Sequence, residues 1–178
     1  MSPNHLKMGD IMTDETVAKN ILNQNAEEYE VKEVKSLAMI GVYIAILNLG
    51  FNLVPLLVHG AFSIDLVFSL AFILGIVGLS WQTSKFSLLA AKLLFGSMAG
   101  LLAIRFAGAF VEEEINYTWA IMVAVASLLI LGKMYPGLGS VRELSHKDVG
   151  NSAIVYGSFA LVAVVLILNI IGLFAIAA

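Results

Sequence analysis

The chain contains no cysteine. That absence excludes disulfides, thiolate metal sites and thiol nucleophiles together. Histidine is nearly as scarce, with only His5, His59 and His146 in 178 residues. The topology argued below puts His59 on the opposite side from the other two. A bis-histidine haem or a histidine-rich metal centre is therefore not expected, and no cofactor is. No apolar segment holds a Glu-x-x-His pair, and no nucleophile stands beside a base. The "GLGS" at residues 137–140 follows Pro136 and no strand, so it reads as a turn rather than a phosphate loop. An enzyme is not expected. Charge is also sparse: 13% of residues are Asp, Glu, Lys or Arg, against about a quarter in soluble domains. The net charge is only −3, and no nucleic-acid partner is expected.

What fills the chain is apolar. Hydrophobic residues make up 60% of it, and the mean hydropathy is +0.92. They come in long blocks, not in the interrupted stripes of a soluble helix. A helix crossing the hydrocarbon core needs about 20 such residues. Five blocks qualify: 37–58, 61–80, 88–110, 117–135 and 153–178. The expectation is an all-α polytopic membrane protein, a bundle of five transmembrane helices (residues 37–178) behind an N-terminal cytoplasmic helical tail (residues 1–36). The tail has no apolar run typical of a signal peptide, so the first span is expected to act as an uncleaved insertion signal.

Lys and Arg in short connectors set orientation. Lys7, Lys19, Lys32 and Lys35 lie in the tail, Lys85 in the second connector, and Lys133, Arg142 and Lys147 around the fourth. The connectors "HG" and "VEEEIN" and the terminal "AIAA" carry none. Five spans put the first group on one side, so the N-terminus is expected in the cytoplasm and the C-terminus outside a plasma or inner membrane. Trp81 and Tyr135 then fall at inner ends, and Tyr117 and Trp119 at an outer end, where interfacial rings belong.

Within the tail, "TDETVAKNIL" places Val17, Ala18, Ile21 and Leu22 on one side of a helix. Further on, Glu28 precedes Lys32 by four residues, a helix-supporting order, and this part of the tail is expected to extend the first span into the cytosol. Residues 11–35 are thus a candidate contact with a cytoplasmic partner or the membrane surface, or simply a solvated helix.

Polar residues inside the spans are the candidates for function. The third span, "LLAAKLLFGSMAGLLAIRFAGAF", holds two cations on opposite faces. Lys92 shares a face with Gly96, Ala99, Ala103 and Ala107, and "GSMAG" with Gly100 makes a GxxxG. That face is expected to pack against a helix, with Lys92 snorkelling to the inner surface. Arg105, about 20 Å further along the axis, lines up with Glu112 and reads as an anchor near the outer surface.

In the first span Gly41, Asn48, Asn52, Pro55 and His59 fall within about 60° of one another. Amides in hydrocarbon need partners, so this stripe either joins helices or lines a hydrated path. Asn169 in the fifth span is a candidate partner. Asp65 follows Ser63 and reads as a helix-start carboxylate, or as part of an outer mouth with His59, Arg105 and Glu112. The expected function is a non-catalytic subunit of a larger membrane complex. The alternative is a small oligomeric transporter or channel whose path uses Asn48, Asn52, His59, Asp65, Arg105, Glu112 and Asn169. Partners on either reading are the lipid bilayer and other membrane subunits or further copies of the chain.

Overall fold

The computed structural model describes residues 8–59, 64–110 and 117–177; side chains are described within these except at 8–15, 51, 52, 54–56, 58, 59, 65, 176 and 177. The described residues are helical, with no sheet among them. Five helices run over Met8–His59 (α1), Ile64–Thr83 (α2), Leu88–Gly108 (α3), Tyr117–Leu144 (α4) and Ser152–Ala177 (α5), with a short 3-10 turn at Ser145–Lys147. All five are long and apolar enough to cross a membrane, which is compatible with a membrane protein.

Two elements depart from the sequence expectation. First, the helix expected to extend the first span back through Glu28 continues without interruption as far as Met8, through the separately drawn "TDETVAKNIL" stretch. At 52 residues, α1 is about 78 Å long, far more than the hydrocarbon core of about 30 Å requires. Second, α4 does not stop near Tyr135. It continues through Pro136 and "GLGS" to Leu144, where a turn was expected. Local propensity argued for a break, because proline removes a helical hydrogen bond. Tertiary packing overrides it. A Cβ added at Gly137 would stand 2.6 Å from Leu37 Cβ and 2.7 Å from the Glu33 carbonyl oxygen, so α4 is pressed directly onto the backbone of α1. Gly137, Ser140, Val141 and Leu144 are buried on that face, opposite the buried Val34 and Leu37. Lys147, just beyond α4, forms an ion pair with Glu27 further up α1.

The helices close a ring in the order α1, α2, α5, α3, α4, with α2 and α3 also touching across it. The core along this axis is built from Phe72, Ile76, Leu79, Leu94 and Met98, all fully buried. α2 crosses α5 closely: a Cβ added at Gly75 would lie 2.6 Å from Val162 Cγ2 and 2.7 Å from the Ser158 carbonyl oxygen. The outer surface is apolar, especially along α4, where Ile121, Met122, Val125, Leu128 and Leu129 are all exposed. A belt of this size suits lipid and not water.

One end of the bundle is sealed by its connectors. α2 ends in a Schellman motif, with Ser87 N–H on the Gln82 carbonyl (3.2 Å) and Phe86 N–H on that of Thr83 (2.9 Å). Phe86 takes the left-handed position, at φ 64°, usually given to glycine. For an L-residue that conformation costs about 1–2 kcal/mol; here the ring is half-buried against the core, which offsets it. The connector before α5 docks onto this motif. Val149 N–H donates to the Lys85 carbonyl at 3.3 Å, and Asn151 N–H to Gln82 Oε1 at 2.7 Å. Asn151 also caps α5, its Oδ1 accepting from Ala153 N–H at 3.0 Å.

Candidate functional site

Away from those connectors the bundle keeps a cavity of about 260 Å³. It is lined by Asn48 of α1, Phe68, Ser69 and Phe72 of α2, Leu101 and Arg105 of α3, and Val165 and Asn169 of α5. Its depth follows from the chain. Ser69 lies five residues into α2 and Arg105 three residues from the end of α3, so both are at the end opposite the Ser84–Ser87 connector.

The polar groups come from α1, α2, α3 and α5, and most of the cavity's exposed surface is polar. Arg105 Nη2 donates a hydrogen bond to Asn48 Oδ1, tying α3 to α1. Asn169 Nδ2 donates back to the Val165 carbonyl of its own helix at 2.8 Å. Its amide therefore satisfies one donor locally while the residue borders the cavity. Ser69 is buried, whereas Arg105 and Asn169 are exposed at the rim. The cavity thus opens to the side or end of the bundle and is closed in the other direction. There the ring of Phe72, Ile76, Leu94 and Met98 leaves no space. Among the described residues no carboxylate forms an ion pair with Arg105, the one such pair being Lys147 with Glu27.

Of the residues singled out in the sequence, Asn48, Arg105 and Asn169 meet at this cavity. Asn52 and His59 belong to α1 and Asp65 to α2, but their side chains are outside the described set, as is the whole of Glu112. Ser69 was not singled out. A serine in a helix commonly bonds back to its own turn, so nothing in its local sequence marks it.

The small-residue face of α3 is not its main packing face within the chain. Within the chain α3 packs through Ala90, Ala91, Leu94, Ser97, Met98 and Leu101. Arg105 continues that inward face, because it follows Leu94, Met98 and Leu101 at helical spacing. Lys92, Gly96 and Ala103 are exposed on the other side. A Cβ added at Gly96 meets nothing within 4 Å, and one at Gly100 meets only Leu166 Cδ1 at 3.4 Å. Ala107 is half-buried. The inward face carries Leu94, Met98 and Leu101, which fill the bundle axis, with the small Ala90, Ala91 and Ser97 between them.

Among the described residues no cluster of three His, Asp or Glu side chains could hold a metal ion. No protein-family model, curated protein or solved structure matches this chain. The functional reading therefore rests on its own geometry.

Proposed function

We propose that this chain is a non-catalytic, membrane-embedded subunit that joins a larger assembly through the outward face of α3. The observation that carries the reading is the exposed small-residue strip of α3 at Gly96 and Ala103. Gly96 has no neighbour within 4 Å, and Lys92 and Ala103 beside it are exposed. Small residues at this spacing let a second helix approach closely, so van der Waals contact can hold it in lipid. A face of this kind would be poorly filled by lipid tails alone. Two further features support the reading. Residues 16–29 of α1 are exposed, with Val17, Ile21 and Leu22 on the surface, which leaves an arm available to a partner. The cation distribution supports an orientation with that arm, Lys85 and Lys147 in the cytoplasm and the C-terminus outside.

The second reading is a small-solute transporter or channel, favoured by the polar cavity at Asn48, Arg105 and Asn169. Transport would require the Phe72–Met98 layer to part. Native mass measurement after gentle extraction separates the two. A stable hetero-assembly that Gly96→Leu dissolves, with helicity and chain stability unchanged, is the expected result. A discrete homo-oligomer or a monomer, indifferent to Gly96→Leu, would overturn the subunit reading. Orientation is tested on the same cysteine-free background. A single cysteine at Tyr117 should react with an impermeant maleimide added outside cells, and one at Glu143 should not.

A further inference from the structure

We infer that the cavity at the Arg105 end of the bundle is a binding site for a phosphate-type oxyanion, met there as the phosphodiester of an anionic lipid head. Three observations converge on this chemistry. The first is a guanidinium whose described partner is neutral: among the described residues Arg105 bonds to the amide of Asn48 and to no carboxylate. An amide orients the guanidinium and leaves its charge intact. Arginine carries five N–H donors in a planar fork that matches oxyanions, and the Asn48 bond engages only Nη2.

The second observation is space. The volume of about 260 Å³ falls just below the range of about 300–1,000 Å³ typical of drug-sized ligands. It accommodates a head group and not a whole lipid. Most of the cavity's surface is polar, with Asn48, Arg105 and Asn169 on its lining, which suits a charged head group and not acyl chains. The third is level. Arg105 lies three residues, or about 5 Å of rise, from the end of α3. In a membrane-spanning bundle that is where hydrocarbon gives way to head groups, and phosphodiesters are the most abundant oxyanions there. The exposed rim at Arg105 and Asn169 provides the entrance. This site is separate from the outward α3 face, so it stands or falls independently of the subunit reading.

The test uses the full chain in detergent micelles with phosphatidylglycerol, read by native mass measurement. The wild type should retain one lipid per chain, and Arg105→Gln should hold it at least about tenfold more weakly, the scale of a charged hydrogen bond. Lys133→Gln, which removes an exposed cation elsewhere, should retain it fully. Inorganic phosphate added alone distinguishes the source. If it displaces the lipid and raises thermal stability, the site accepts soluble oxyanions. If it does neither while lipid is retained, the site is specific to head groups. Equal retention by wild type and Arg105→Gln would overturn the proposal, and an internal carboxylate partner from Asp65 or Glu112 would produce that result. So would a wild type that retains no lipid and ignores phosphate. Should Arg105→Gln fail to fold, the Arg142→Lys chain can be labelled with ¹⁵N-arginine in phosphatidylglycerol bilayers, because Arg105 is then its only arginine. A ¹⁵N–³¹P dipolar contact is expected, and its absence would also overturn the site.

Discussion

The two ends of the bundle satisfy their polar groups in different ways. At the connector end, backbone and side chain interlock. Gln82 and Thr83 are fully buried, the Schellman motif closes α2, and the α5 connector docks on it through Val149 and Asn151. At the cavity end, side chains bridge between helices: Arg105 reaches Asn48 across the bundle, and open volume remains beside them. The contrast teaches where a bundle can keep a ligand site. Connector ends have many backbone donors and acceptors within reach of each other, and these consume one another. Among the described residues, the guanidinium of Arg105 and the amide of Asn169 meet no such connector groups, so they retain capacity for a ligand.

The largest effect should come from forcing the connector end apart. Gly137→Leu places a branched side chain where even a Cβ meets Leu37 and Glu33 inside 3 Å. The expected cost is about 3 kcal/mol or more, near the upper limit for overpacking, read as a lowered melting temperature in detergent. A melting temperature equal to wild type would mean that α4 is not held against α1 there.

Single hydrogen bonds rank next, and they sharpen the comparison directly. Gln82→Leu removes the acceptor of Asn151 N–H and strands a backbone donor, at a cost of about 1 kcal/mol. The buried Gln82 Nε2, which has no partner, is removed at the same time and lessens the loss. Asn48→Leu at the cavity end should cost about 0.6 kcal/mol, the average for interhelical bonds in lipid, while weakening phosphatidylglycerol retention. Paired unfolding measurements in detergent check the order; a greater loss from Asn48→Leu than from Gln82→Leu would reverse it.

The smallest effect is acid sensitivity at the far tip of the connector end. The hydrogen bond and charge of Lys147, with a lesser contribution from His146, hold the Glu27 carboxyl below its ordinary value of 4.5. The tie is complete above that value and is lost as the pH falls through the lowered one. Acid should therefore loosen the Glu27–Lys147 contact, seen as faster amide exchange in residues 16–29, and Glu27→Gln should show that exchange already at neutral pH. Exchange insensitive to both would show that the pair does not restrain the arm.

Much of the architecture was legible in the residues. Uninterrupted apolar runs of about 20 residues mark the helices regardless of neighbours, since unpaired backbone groups are so costly in hydrocarbon that each run must be helical. Helical periodicity likewise separated Lys92 from Arg105 and grouped Asn48 with its stripe. The sequence alone therefore determined five apolar helices, the polar residues they carry and the opposite faces of the two cations. Tertiary structure alone decided which α3 face turns inward, because that depends on matching side-chain volume to the space between five helices. It also decided that α4 runs on past Pro136, because the contact of Gly137 with α1 lies about 100 residues away along the chain. The meeting of Asn48, Ser69, Arg105 and Asn169 around one cavity was decided in the same way. Each residue's helical register is local, but the rotation of one helix against another is set by packing, which no single segment encodes.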